Sequence, residues 1–263
     1  MTIFRALVEI EEKSQTAAMC IIVRNQGSTP RRIGSKMLVY PDGRIVGTIG
    51  GGEMESRVRT EAINAMQDGR PRFLEYNMID PANGDPGVCG GTLEVYVEPI
   101  SPRPVLVVVG MGHVGKELVY LANRLDFRVI ITDDRDGFCT PDAIPNADER
   151  YTIPVEEFVD NFDITSNTYI ALTTRGGEVD VAGLPSLLES QAAYIGIIGS
   201  KRRWEITRKL LIEKDVSKEK LALVHSPIGL NLGVEKPAEI AVSIMAEILM
   251  LQHGGDGKSM FDC

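Results

Sequence analysis

Val105 to Arg135, VLVVVGMGHVGKELVYLANRLDFRVIITDDR, decides the fold. It opens on five apolar, mostly β-branched residues, Val105 to Val109, the pattern of a strand buried on both faces. Gly110, Gly112 and Gly115 follow in a GxGxxG turn, with His113 as a polar spacer inside it. Val114, Leu118, Leu121 and Leu125 then recur at helical spacing, and a second apolar strand, Arg128 to Thr132, runs into Asp133. Strand, glycine turn, helix, strand and acid in that order predict a Rossmann-type nucleotide site. The glycines allow close approach of a phosphate, which the helix N-terminus receives through unpaired N–H groups and its positive dipole end. Asp133 stands 23 positions beyond Gly110, where a carboxylate accepts from a ribose diol, and Asp134, Arg135 and Asp136 shape the same pocket.

Outward from this unit, strands at Thr168 to Leu172 and Tyr194 to Ile198 alternate with helices at Val181 to Ser190, Gly199 to Lys214 and from Pro237 onward. Between Asp136 and the first of these strands the chain reads as a proline-containing connection. The alternation predicts a parallel sheet with helices on both faces. Upstream, the first dozen residues read as an amphipathic helix and Ala17 to Val23 as a strand. Pro41-Asp42-Gly43 turns a hairpin between Met37 to Tyr40 and Arg44 to Gly47. A helix from Glu53 to Gln67 and strands at Arg72 to Tyr76 and Thr92 to Glu98 complete a smaller α+β unit, the two strands flanking a loop from Asp80 to Gly91. Pro99, Pro102 and Pro104 mark the boundary, giving an N-terminal domain over 1–100 and a Rossmann-like domain over 101–263, with a frayed tail after Gln252.

The chain has 263 residues, 43% hydrophobic and 25% charged, ordinary values for a globular protein with real cores. A net charge of −9 argues against nonspecific nucleic-acid binding. No stretch reaches the roughly 20 apolar residues of a spanning helix, and the N-terminus is not a signal peptide, so the expected setting is cytoplasmic, off the membrane. Four scattered cysteines without a CxxC pair read as reduced thiols, and three separated histidines offer no metal-ligand set.

Further turns have unusual composition. Gly50, Gly51 and Gly52 precede a helix and offer N–H groups to an anion, or serve close packing. Gly199, Ser200, Lys201, Arg202 and Arg203 bring backbone donors, a hydroxyl and three cations to a helix start, where cations oppose the dipole, a pattern that points to an anion. Arg31, beside Arg32, is another anion candidate or ordinary surface charge. Cys89, between glycines, is an inert thiol or an activated one. His225 before Ser226-Pro227 is either catalytic or capping.

Seven stretches together resemble the XdhC/CoxI family, the accessory proteins of xanthine dehydrogenase and related molybdenum hydroxylases. They are GSTPRRIGSKMLV, GTIGGGEMES, CGGTLEVYVEP, VVGMGHVGKELVYLA, VIITDDR, YIGIIGSKRRWE and SPIGLNLGVEKPAEIAVSIMAEIL, spread in order from residue 27 to about 250. The resemblance implies a protein that binds the molybdenum cofactor as cargo, supports its sulfuration with a cysteine desulfurase and inserts it into the molybdenum-bearing chain of a hydroxylase of the xanthine dehydrogenase type. It also implies a homodimer, and it places Cys89 and the Gly50 to Gly52 loop at the cofactor. On this reading the chain is a maturation factor rather than a turnover enzyme, with Gly110, Gly112, Gly115 and Asp133 on a nucleotide or pterin phosphate and Gly199, Ser200 and Arg202 adding anion contacts. Relatives often carry histidine at the position of Gly177 and some carry cysteine at that of Glu53, so a mechanism here has one loop thiol to use. The competing readings are an NAD(P)-dependent oxidoreductase and a dinucleotide-sensing regulatory module.

Overall fold

The computed structural model of the chain describes residues 2–12, 15–78 and 90–262, and the chain divides into Met1–Pro102 and Arg103–Cys263. The first unit holds α1 (Ile3–Glu12), β1 (Ala17–Gln26), β2 (Lys36–Val39), β3 (Ile45–Gly47), α2 (Gly52–Asp68), β4 (Arg72–Met78) and β5 (Gly91–Ile100). Its sheet has the order β3-β2-β1-β5-β4, every pairing antiparallel. Successive side chains of a strand face opposite ways. Ala18, Cys20 and Ile22 of β1 therefore pack with Met54, Val58 and Ala62 of α2, while Ala17 and Met19 pack with Ala6 and Ile10 of α1.

The second unit holds β6 (Val105–Val109), α3 (His113–Arg124), β7 (Arg128–Thr132), β8 (Glu149–Tyr151), α4 (Val155–Asn161), β9 (Thr168–Leu172), α5 (Gly177–Leu188), β10 (Tyr194–Ile197), α6 (Lys201–Glu213), α7 (Lys218–Leu221), β11 (Val224–His225) and α8 (Pro237–His253). The sheet order is β11-β10-β9-β6-β7-β8, all parallel, so the chain reverses direction across the sheet between β6 and β9. This is the doubly wound Rossmann order, which places ligands beyond the carboxyl ends of the strands at the reversal. β6 is buried throughout: Leu106 and Val108 join the core under α3 and α8, and Val105, Val107 and Val109 the core under α4 to α6.

Several details differ from the sequence reading, which also leaves out α7 and β11 and ends β1 at Val23. The connection after Asp133 contains β8 and α4; β8 has three half-buried residues and α4 only seven, too few to show a period. α5 starts at Gly177 rather than Val181, with Gly176 as its cap. α6 begins at Lys201, after its Ser200 cap, and the tail ends in a 3-10 turn at Met260–Asp262. The loop residues 80–89 lie outside the described residues. Among those described, no helix is long and apolar enough to cross a membrane.

Candidate functional site

The glycines of the Rossmann turn divide the work. Gly110 takes φ +96° and donates its N–H to the Thr132 carbonyl at 2.9 Å; a Cβ there would stand 3.0 Å from the Thr173 carbonyl oxygen. At Gly115 a Cβ would fall 2.2 Å from the Gly110 carbonyl oxygen, so these two glycines seat α3 against the sheet. Gly112 caps α3 with open space where its Cβ would be. It is the position at which a ligand can approach the backbone. His113 follows, exposed.

Asp133 is oriented inward. Its Oδ2 accepts from the Met111 N–H at 2.7 Å and from Arg135 Nη2 at 2.6 Å, and its Oδ1 from the Arg135 N–H at 3.1 Å and Nε at 2.8 Å. A carboxylate has about four acceptor positions. All four are occupied, so Asp133 braces the turn instead of waiting for a ribose diol as the spacing predicts. Burial raises its pKa, but the hydrogen bonds from Arg135 and Met111 outweigh that and hold it below the usual aspartate value. Arg135 is committed to the same contact and lies over the Phe138 ring, 3.6 Å from its centroid.

A cavity of about 240 Å³ opens at the carboxyl ends of β6, β7 and β9, where the chain order reverses. Gly110, Asp133, Asp134 and Arg135 line it with residues of the loop before α4 and of α5. Gly112, His113 and Gly115 are not among its lining, and neither are Gly199, Ser200 and Arg202. The expected nucleotide residues thus fall at three neighbouring points of one sheet edge, the cavity, the α3 start and the α6 start.

The helix starts along this edge differ in charge. α4 and α5 carry acids in their first turns, Glu156 and Glu157 and Glu178 and Asp180, which satisfy their dipoles internally. α3 and α6 carry none. At α6 the Ser200 hydroxyl accepts from the Arg203 N–H at 3.2 Å, while Lys201 and Arg202 are exposed. Arg203 corrects the expectation of three converging cations: it pairs with the fully buried Asp180 at 2.6 Å and donates to Thr174 Oγ1 at 2.8 Å. A Cβ at Gly199 would meet Arg203 Cδ at 2.9 Å, so that glycine makes room for the guanidinium stem. At Gly177 a Cβ would lie 3.1 Å from Thr207 Oγ1 of α6, which fills the space a larger residue needs.

In the first unit, Gly50, Gly51 and Gly52 take φ +146°, +76° and +68°. Their turn already holds an anion of its own. Glu55 Oε2 accepts from Thr48 Oγ1 at 2.5 Å, the Ile49 N–H at 3.1 Å and the Gly51 N–H at 3.2 Å, while Gly50 donates to Thr48 Oγ1 at 3.1 Å. Burial raises the Glu55 pKa, and these donors more than reverse it, leaving it lowered. The Gly50 and Gly51 N–H groups, expected to be bare, are filled from within. Arg31 is exposed, its carbonyl accepting from Thr29 Oγ1 at 3.0 Å. Cys89 lies outside the described residues. Burial, then the Glu55 charge, pushes the Cys20 thiol up to about 12; burial, then Asp133, pushes Cys139 up to about 11, so both are inert packing thiols.

One polar cluster is legible in the sequence only as an ambiguous histidine. Glu247 of α8 accepts from Tyr194 Oη, from the Gly229 N–H at 2.9 Å and pairs with His225 Nδ1 at 3.2 Å, tying β10, β11 and the loop after the cis Ser226–Pro227 bond to α8. The glutamate sits within an apolar helix stripe, and that single acid was the available signal.

Comparison with known proteins bears on the whole chain. Residues 106–248 match the family model described as the XdhC Rossmann domain, and residues 11–77 that of the XdhC and CoxI family. The uncharacterized protein YqeB of Escherichia coli (strain K12) is 35% identical, the match covering 99% of this chain and 48% of that protein. A probable xanthine dehydrogenase subunit of Bacillus subtilis (strain 168) is 33% identical over 60% of this chain and 46% of its own. The chain thus spans about half the length of these two relatives. The molybdenum cofactor insertion chaperone PaoD of Escherichia coli (strain K12) is 24% identical over 94% of this chain and 87% of its own. A crystal structure of a xanthine dehydrogenase from Bacillus halodurans shares the fold, with a TM-score of 0.52 and 24% identity over 99% of both chains.

Proposed function

The chain belongs to the XdhC and CoxI family, and from that premise we propose that it binds the molybdenum cofactor as cargo, supports its sulfuration and delivers it to a xanthine dehydrogenase-type hydroxylase. The observation that carries this reading is the match, along nearly the full length of both chains, to a molybdenum cofactor insertion chaperone. The second unit supports it chemically. Molybdopterin carries a phosphate, and the two helix starts free of acidic residues, at Gly112 and at Ser200 to Arg202, supply N–H groups, a hydroxyl and two exposed cations for one. Cys89 enters this reading through the family resemblance, as the thiol that would handle sulfur at the molybdenum end, with a cysteine desulfurase as donor. A homodimer in the cytoplasm belongs to the same proposal. No observation favours the oxidoreductase or the sensing module.

The test is maturation of the client. A molybdenum hydroxylase co-produced with this chain is expected to carry sulfurated cofactor and full activity, and without it to lack both. With Cys89→Ser the client is expected to receive molybdenum yet remain poorly sulfurated. Equal client activity with and without the chain overturns the reading.

A further inference from the structure

We propose, resting on the cofactor-handling reading above, that the outer face of α6 is a docking surface for an acidic protein, and that this protein is the hydroxylase that receives the cargo. One helix then holds the cargo at its start and the receiver along its flank.

The charge is local. The chain has a net charge of −9, yet the stretch from Lys201 to Lys214 holds six cations against two acids, Glu205 and Glu213. Arg203 is taken by the buried Asp180. Lys201, Arg202, Lys209 and Lys214 are exposed and Arg208 is half-buried, and none of these five forms an ion pair among the described residues. Lys209 stands four positions from Glu205 and four from Glu213, the spacing at which a helix closes ion pairs, and neither closes. The cations are left for something outside the chain.

The same face is partly apolar. Thr207 and Leu211 are the buried residues of α6, on one side of it. A turn of about 100° per residue puts Arg202, Ile206, Lys209 and Glu213 together on the opposite side, with Leu210 next to Ile206. Ile206 is 54% exposed and Leu210 44%. Isoleucine is a mediocre helix former, so the pair does little for α6 itself. Adjacent aliphatic side chains bordered by charge have the make-up of a small protein interface, an apolar centre with a polar rim.

That mixture selects the class of partner. Glu205 and Glu213 stand among the cations and repel a phosphate backbone or an anionic lipid surface, whereas against a protein they fix register. Trp204, the aromatic residue of α6, packs inward and offers bases no stacking platform. A protein surface of carboxylates around an apolar contact answers both features: charge steers the encounter and the aliphatic pair holds it.

Position links the face to the cargo. α6 has 13 residues, about 20 Å of helix. Its start, Ser200 to Arg202, is where the cofactor reading places a phosphate. A receiver seated on Ile206, Lys209 and Leu210 lies within about two turns of that phosphate.

The test measures binding of the purified chain to the molybdenum-free form of the hydroxylase co-produced in the maturation test, at low and at physiological salt. The parent is expected to bind, more weakly as salt rises. Lys209→Glu is expected to weaken binding about tenfold and to flatten the salt dependence. Ile206→Ser is expected to weaken it about tenfold with the salt dependence kept. Arg59→Glu, the same change of charge at an exposed position of α2, is expected to bind as the parent does. Urea midpoints near that of the parent exclude misfolding as the cause. A parent that does not bind, parent-like affinity in both α6 variants, or an equal loss in Arg59→Glu overturns the docking face. So does binding of anionic vesicles or RNA that Lys209→Glu abolishes while hydroxylase binding persists. If the chain retains molybdenum cofactor while both α6 variants bind the hydroxylase normally, the face fails and the cofactor reading stands. Loss of the hydroxylase in both variants of a chain that retains no cofactor supports the face and overturns the reading on which it rests.

Discussion

The Arg203 guanidinium, at the start of α6, meets the Asp180 carboxylate of α5 at 2.6 Å, and Asp180 is 0% exposed. Asp180 also accepts from Thr174 Oγ1 at 2.5 Å, so the loop after β9 is joined to α5 and α6 at one charge. Breaking a buried pair leaves a charge without its partner. Asp180→Ala is expected to lower stability by about 3 kcal/mol, since Arg203 keeps some solvent access. Urea denaturation checks this; a midpoint unchanged from the parent would mean the pair contributes nothing.

Two glycines of one motif should separate cleanly. Gly115→Ala drives a methyl to 2.2 Å from the Gly110 carbonyl oxygen and is expected to cost about 3 kcal/mol or more. Gly112→Ala meets open space at φ −74° and is expected to stay within about 1 kcal/mol of the parent. Its added methyl should instead weaken phosphate binding at α3. Thermal unfolding and inorganic phosphate titration of both variants read the two effects independently.

The β6–α3–β7 unit was legible because its signals are backbone rules: β-branched residues buried on both faces, glycines where Cβ atoms would collide, and helical spacing over three turns. The role of Asp133 was not legible. Spacing located the residue, but its four acceptor positions are filled by Met111 and by Arg135, two positions further on, a choice only the folded turn reveals. Arg203 and Glu55 escaped for the same reason. In the sequence they are a third cation and a helix acid; in the fold Arg203 is drawn away to Asp180, and Glu55 fills the glycine turn that composition alone reads as open. β8 and α4 were invisible because elements of three and seven residues carry no usable period.

Acid stability should depend on Glu247. Burial raises its pKa, yet hydrogen bonds from His225, Tyr194 and Gly229 leave it below the ordinary 4.5. A lowered folded pKa contributes stability above the unfolded value, and that contribution is lost as pH falls through the folded value. Glu247→Gln is therefore expected to be less stable than the parent at neutral pH, with the gap narrowing as the pH falls from neutral to below the ordinary 4.5. Urea midpoints measured across that range test it; a gap that is constant with pH would contradict the assignment.

The two buried thiols should be silent. With Cys20 pushed up to about 12 and Cys139 to about 11, neither presents thiolate near neutral pH. Alkylation of the native chain followed by mass spectrometry is expected to leave both unmodified, and urea should expose both. Rapid native labelling of either would contradict their burial.

The measurement that bears most directly on the central claim is anaerobic titration of the purified chain with molybdenum cofactor, reading bound molybdenum after gel filtration. The account predicts stoichiometric retention, weakened by Gly112→Ala at unchanged stability. Passage of all molybdenum with the small-molecule fraction would contradict it.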